Sequence, residues 1–359
     1  MSQPLKIAMA GVGRMGQVHA RNLLSLARES GGCGVVALVD SDRDRLERFA
    51  QETGFTGSLL TSVEALAEAD LCQATFVATP TERHREHATT LIRAGHRVLL
   101  EKPLTGIVAG DRHFAAELDR SHPTALMLAF QRRFDEALLY ARELMQAGAV
   151  GRVFKIYSAL EDSNPAPDGY QSDGILPDMS IHNVDEILWL TGRMPDKVLG
   201  IGSRIYSHSL TTCREDFDDA VLYMWFGDDL VAQVQVSRNH VSGYRVETII
   251  FGEEGQIQIG HFAQNPKEIV VETFGRRLGS TVRTIRTFAG GIDSMDAPEF
   301  VPRFNAAYKS EAAKFVECCR TGCAFPITHH DGLRAQEVIA AGMQKMLTTA
   351  DANPVRPTC

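Results

Sequence analysis

Leu5-Lys6-Ile7-Ala8-Met9-Ala10-Gly11-Val12-Gly13-Arg14-Met15-Gly16 is the stretch that decides the fold. Its apolar run reads as a strand, its glycines as a tight turn, and the residues after Gly16 as the start of a helix. Gly11 permits the turn, Gly13 lets a pyrophosphate approach the backbone, and Gly16 allows close packing of helix on strand. A second strand, Val35-Val36-Ala37-Leu38-Val39, ends at Asp40, which lies 24 residues beyond Gly16. An acid at about that spacing binds the ribose hydroxyls of a dinucleotide. Its carboxylate repels a 2′-phosphate, so NAD is expected over NADP. Arg43 and Arg45 stand nearby and suit either such a phosphate or a solvated helix start.

From this stretch outward, short apolar runs alternate with helical stretches up to residue 129. Strands are predicted at 6–10, 35–39, 74–78, 97–100 and 125–129, which argues for a parallel sheet wrapped by helices. Beyond residue 130 the rhythm changes. A helix at 135–146 and another at 179–190 accompany strand-like runs at 153–160, 197–206, 220–226, 231–237, 245–251, 255–259 and 268–274. Short polar and glycine turns join several of them, as in an antiparallel sheet. Residues 275–302 read as a long loop, and two helices, at 305–320 and 331–348, follow. The expectation is two α/β domains: 1–129 for dinucleotide binding, and 130–359 for substrate binding and oligomerisation, with the C-terminal helix able to pack back on the first.

The 359 residues suit two cores better than one. A net charge of −8 argues against nucleic acid as a partner, and no apolar run reaches the ~20 residues that cross a bilayer. Met1-Ser2-Gln3-Pro4 leads straight into the first strand and has no signal-peptide pattern. Seven cysteines, scattered and without a C-x-x-C, read as small buried or surface residues of a reducing cytoplasm, and no metal site is expected.

Three constellations carry chemistry. Thr79-Pro80 and Glu101-Lys102-Pro103 follow the third and fourth predicted strands, and in an open parallel sheet ligands bind beyond such carboxyl ends. Asp178, His182 and Asp185 fall at i, i+4 and i+7, within one arc of a helix. Ile181, Val184 and Leu188 then point to the sheet, while Asn183 and Glu186 face elsewhere. The same spacing also serves a solvated stripe or an ion pair. Oxidation of a secondary alcohol gives each polar residue a task. His182 takes the hydroxyl proton, Asp178 orients it, and Lys102 bonds the reacting oxygen.

These motifs resemble the Gfo/Idh/MocA oxidoreductase family over nearly the whole chain. The resemblance rests on Gly11-Val12-Gly13-Arg14-Met15-Gly16 with His19, Ala78-Thr79-Pro80, Glu101-Lys102-Pro103, Asp178-Met179-Ser180-Ile181-His182, and Phe304, Tyr308 and Phe315. It implies a Rossmann domain followed by an α/β domain with an open, mainly antiparallel sheet that often forms a dimer or tetramer interface. It implies a catalytic set of Lys102, Asp178 and His182, and a cofactor site of Gly11, Gly13, Arg14, Met15, Gly16, Asp40, Ala78, Thr79, Pro80, His84, Glu101 and Lys102. Phe130-Gln131-Arg132-Arg133-Phe134-Asp135 and the Asp-Met-x-Ile-His phrase look most like inositol 2-dehydrogenases. That implies a polyol substrate met by Lys102, Arg132, Glu161, Asp178, His182, Asp185 and Tyr244, with His240 a further pocket residue. Gln131, Glu161 and Asp162 depart from the closest pattern and bear on which polyol fits. Another sugar dehydrogenase or reductase, or a non-catalytic NAD sensor, are the competing expectations.

Overall fold

A computed structural model describes residues 3–162, 174–204, 216–238, 240, 244–260, 268–277, 280–289, 300–344, 346–348 and 351. The chain divides into two compact units, 1–135 with 294–333, and 136–293 with 334–359.

The first unit begins β1 (Leu5–Ala10), α1 (Arg14–Ser30), β2 (Cys33–Val39), α2 (Arg43–Thr53), β3 (Ser58–Leu60) and α3 (Val63–Glu68). It continues β4 (Ala74–Val77), α4 (His84–Arg93), β5 (Arg97–Glu101), α5 (Val108–Ser121) and β6 (Leu126–Ala129). All six strands are parallel, in the order β3-β2-β1-β4-β5-β6. Strand order reverses on either side of β1, which makes the ends of β1 and β4 the place where this architecture takes a ligand. The strands read as near-continuous apolar runs because helices cover both faces of a parallel sheet. Ile7, Met9, Leu38, Phe76, Leu99 and Met127 accordingly form one core. The short edge strand β3 lacks such a run and escapes a pattern search.

In the second unit come α6 (Glu136–Gln146), β7 (Val153–Glu161), α7 (Ile181–Thr191), β8 (Lys197–Ser203), β9 (Asp219–Phe226) and β10 (Leu230–Ser237). Then follow β11 (Arg245–Gly252), β12 (Gly255–Ile259), β13 (Glu268–Arg277) and β14 (Ser280–Ala289). The eight strands run β14-β13-β12-β11-β7-β10-β9-β8, antiparallel except where β10 lies parallel to β7. The expected long loop at 275–302 is thus corrected in part: it contains the end of β13 and all of β14. As an exposed edge strand, Ser280–Ala289 alternates threonine and arginine with apolar residues and lacks a buried face that would announce it. Arg283 secures it by a bond of 2.6 Å to Glu272 on β13.

Alternate rows of this sheet differ in burial. Ile250, Ile156, Ala232 and Met224 pair across β11, β7, β10 and β9 and are buried, on the helix-covered face. The neighbouring row, Ile249, Tyr157, Gln233, Tyr223 and Leu199, is half-buried.

Two further helices follow among the described residues, α8 (Phe300–Thr321) and α9 (His329–Met343). Within the first unit α8 lies on α1. Ala312, Phe315 and Val316 join the core of Ala20 and Leu23, Asn22 donates to Asn305 (3.2 Å), and Lys309 bonds Glu29 (2.6 Å).

Candidate active site

The first unit builds a dinucleotide cradle from the glycine turn. Gly11 has φ 90°, a conformation that favours glycine, and a Cβ there would lie 2.4 Å from the Ala78 carbonyl oxygen. At Gly16 a Cβ would fall 2.0 Å from the Gly11 carbonyl oxygen, so only glycine lets α1 rest on the turn. Gly13 differs: a Cβ would meet nothing within 4 Å. The space in front of it is open, as close approach of a pyrophosphate demands. Gly13 caps α1 without any side-chain hydrogen bond, and Arg14, Met15 and Gly16 open the helix with no acidic residue in the first turn. The first turn of α1 thus brings no carboxylate of its own to the amide N–H groups at this positive helix end, which suits a diphosphate.

Asp40 lies just beyond β2 and is buried. It accepts from Val12 N–H (2.9 Å) and Asp42 N–H (3.0 Å), while the Arg45 guanidinium sits on the carboxylate at 3.0 Å. Arg45 therefore offsets the charge that would turn away a 2′-phosphate. Arg43 is engaged elsewhere, with Glu47 and the Leu59 carbonyl.

Ala78 and Thr79 follow β4, with Ala78 N–H donating to the Ala10 carbonyl (2.8 Å) and Pro80 exposed beside them. His84, fully enclosed at the head of α4, braces two loops. Its Nε2 contacts the Thr79 carbonyl at 2.9 Å and its Nδ1 the Pro103 carbonyl at 2.8 Å. Burial pushes its pKa down against those two bonds. His84 thus shapes the cradle from behind it.

Below Lys102 lies a buried polar cluster. His19 Nε2 is 2.7 Å from Glu101 Oε1, and the Lys102 N–H donates to Glu101 Oε2 at 2.8 Å. The His19 ring packs on Phe76 (centroids 4.1 Å apart) and edge-on to Tyr308 (5.2 Å). Burial raises the Glu101 carboxyl, but the His19 hydrogen bond and the charges of His19 and Lys102 outweigh it and hold it below the ordinary value. The Lys102–Pro103 peptide is cis. Glu311 on α8 adds a second carboxyl to this cluster. It is fully buried, its oxygens find no hydrogen-bond partner among the described residues, and burial plus the Glu101 charge raise its pKa well above 4.5. Nothing in the sequence singled it out, because one glutamate in an amphipathic helix reads as surface. Arg132 is also buried in this unit, its guanidinium 5.6 Å from the Phe304 ring centroid.

In the second unit, residues 176–180 form a π-helical turn that leads into α7. A wider turn brings residues four apart closer to eclipse, so Asp178 and His182 lie on one line of the helix. Asp178 accepts a 2.7 Å bond from Arg238, the residue after β10. His182 is half-buried and Asp185 is 1% exposed.

Helical spacing alone sends Asn183 and Glu186 away from the sheet, and here the structure corrects it. Asn183 donates to Ser158 on β7 at 2.7 Å, and Thr248 on β11 bonds Glu186. The sheet beneath α7 carries hydroxyls, which meet the Asn183 amide and the Glu186 carboxylate.

One end of the second sheet is polar. Glu161 closes β7, Asp219 opens β9, Arg238 follows β10, and Arg245 opens β11 immediately after Tyr244. Glu161 accepts from Arg245 at 3.0 Å and lies 3.4 Å from His240 Nε2. Arg245 also bonds Glu247, and these bonds raise its pKa against the cost of burial. Burial raises the Asp219 carboxyl. Sequence reasoning named Glu161, Tyr244 and His240 but missed Arg238 and Arg245, whose only signal is a charge at each strand terminus.

Comparison with known proteins agrees with this architecture. Residues 5–129 match the model of the oxidoreductase family with an NAD-binding Rossmann fold, and residues 138–258 match the Gfo/Idh/MocA C-terminal domain. The chain is 28% identical to the scyllo-inositol 2-dehydrogenase (NAD(+)) of Bacillus subtilis over 94% of this chain and 93% of that one. It is 27% identical to the inositol 2-dehydrogenase of Streptomyces avermitilis, over 96% and 92%. Among solved structures, scyllo-inositol dehydrogenase from Lactobacillus casei with bound NAD(H) and scyllo-inositol superposes with a TM-score of 0.78 at 26% identity, covering 95% and 96% of the two chains. With both domain models matched in order along its length, the chain belongs to the Gfo/Idh/MocA family of NAD-binding oxidoreductases.

Proposed function

We propose that this enzyme oxidises one ring hydroxyl of a cyclitol, myo- or scyllo-inositol, to a ketone with NAD. The observation that carries this reading is the likeness to inositol dehydrogenases over nearly the full length of both chains, joined to a Lys102 backbone fixed by Glu101 and His19. Gly13, the first turn of α1 and Asp40 suit the dinucleotide. Once bound, NAD supplies the acceptor for the hydride leaving the carbon.

The chain's own residues handle the proton and the oxygen. The Lys102 ammonium bonds the reacting oxygen and favours its alkoxide character. His182 accepts the hydroxyl proton, and the Asp178 carboxylate stabilises the resulting imidazolium. Arg238 fixes that carboxylate. Asp185, Tyr244 and Arg132 bind further hydroxyls, and Glu161 acts with its partner Arg245. That last pairing gives a specific ground for a second reading, a different sugar or polyol. A carboxylate occupied by an arginine has fewer acceptor positions left than a free one, and hydroxyl specificity depends on such placements.

The half-buried row of Ile249, Tyr157, Gln233, Tyr223 and Leu199 supports a homo-oligomer, a dimer or tetramer, built on that sheet face. Five described cysteines are free thiols, which supports a reducing, cytoplasmic setting. No helix of the described residues is long and apolar enough to cross a membrane.

Absorbance of the reduced nicotinamide, followed with NAD or NADP and a panel of inositols and sugars, tests the reading. Turnover of myo- or scyllo-inositol with NAD is expected. Lys102→Ala and His182→Ala should each lower kcat by about 10²–10⁴ with NAD affinity little changed. Activity confined to aldoses, anhydrosugars or keto-sugars would move the substrate, and NAD binding without turnover of any of them would favour a sensor.

A further inference from the structure

The last turn of α5 and the first turn of α9 bring together three metal-ligating side chains that the proposed reaction does not use. Asp119 Oδ1 lies 2.9 Å from His329 Nε2 and 3.0 Å from His330 Nε2. The three ligand atoms all fall within 4.8 Å of one another. The side chain of His329 is 2% exposed, whereas those of Asp119 and His330 are 45% and 48% exposed, which leaves one side of the cluster open to water.

Two imidazoles and a carboxylate, with an open position, are a donor set that borderline transition metals accept. Bonds of about 2.0 Å in a tetrahedral site separate ligand atoms by roughly 3.3 Å. The two nitrogen–oxygen separations here are a few tenths of an ångström shorter, a difference that small side-chain rotations supply. The negative end of α5 favours a cation, and with the charge on Asp119 it outweighs the opposing positive end of α9.

We propose that Asp119, His329 and His330 form a site for a divalent transition metal of the zinc class, which ties α5 to the start of α9. The ion replaces the two hydrogen bonds, and each ligating imidazole carries its proton on Nδ1. His329 Nδ1 is buried with no hydrogen-bond partner among the described residues. A ligand histidine without a partner of that kind loses about 10–100-fold in affinity. The site is therefore weaker than one whose ligand histidines are both partnered.

Zinc titrated into the reduced full-length protein against a chromophoric chelator reads the affinity. Cobalt reads the ligands, because cobalt–thiolate absorption would expose capture by the cysteines. One equivalent of zinc, a cobalt spectrum free of thiolate absorption, and a loss of about tenfold or more in His330→Ala and in Asp119→Asn are expected. Both variants alter half-exposed side chains, and zinc should raise the Tm of the parent but not of either variant. No stoichiometric binding, thiolate-type absorption alone, or unchanged affinity in both variants would overturn the proposal.

Discussion

His19 Nε2 stands 2.7 Å from Glu101 Oε1, so a side chain from α1 holds the carboxylate that in turn accepts the Lys102 N–H. Removing it leaves a buried carboxylate short of its donor. His19→Ala should cost about 2–3 kcal/mol of stability, seen as a lower denaturant midpoint. It should also depress kcat while His19→Gln recovers part of the loss. An unchanged midpoint would separate His19 from the support of Lys102.

Two glycines of the turn should respond differently to alanine. At Gly16 the new methyl meets backbone, so Gly16→Ala should cost about 3 kcal/mol and abolish NAD binding. At Gly13 the methyl meets open space and the backbone, with φ −71°, tolerates alanine. Gly13→Ala should keep its Tm within a few degrees and raise the KM for NAD. Calorimetry beside NAD titration checks both; equal losses of stability would contradict the open cradle.

Cofactor choice should depend on the Asp40–Arg45 pair. Asp40→Ala removes the ribose acceptor and the bond to Val12 N–H, and should weaken NAD and relax the bias against NADP. Arg45→Ala uncovers the carboxylate and should sharpen the preference for NAD. Ratios of kcat/KM for the two cofactors give the answer.

Glu311 gives stability a pH dependence with a definite sign. Its folded pKa is raised, so the folded state holds a proton that the unfolded chain releases above pH 4.5. Its contribution is fully present below that value and is lost as pH rises toward the folded pKa. Glu311→Gln should therefore match the parent near pH 4 and gain on it up to neutrality. Parallel melting curves at every pH would show that Glu311 is ionised in the fold.

Thiol reactivity should concentrate at Cys323. Burial pushes Cys318 up to about 11 and Cys319 up to about 12, whereas a hydrogen bond to Cys318 lowers Cys323. Peptide mapping after brief alkylation at mild alkaline pH should find Cys323 modified ahead of its two neighbours. The opposite order would contradict the 2.7 Å contact between Cys318 and Cys323.

Where the sequence was legible, local pattern and burial agreed. Gly11, Gly13 and Gly16 could be read because each position has a steric or approach requirement that glycine alone meets. The strands of the first sheet were legible because burial on both faces makes them continuous apolar runs. β14 was not, since an exposed edge carries too little apolar alternation. The surroundings of Asp178 and His182 depend on partners distant in sequence. Arg238 is 60 residues from Asp178, and Ser158 is 25 from Asn183. No periodicity along one helix encodes the hydroxyls of the sheet beneath it. Glu311 was hidden for the same reason, its burial being set by the elements that α8 packs on, α1 and β1.

The seat of α8 on α1 constrains the order of synthesis. Residues 1–135 leave the ribosome long before residues 300–321, yet Ala312, Phe315 and Val316 complete the core around Leu23. Until they arrive, the nascent dinucleotide domain carries an uncovered apolar face, the condition that recruits chaperones and invites aggregation. Expression of residues 1–129 alone should give an insoluble product, and a chain stalled before residue 300 should be a protease substrate. The first domain to be translated stays open until a helix encoded near the far end of the chain is made.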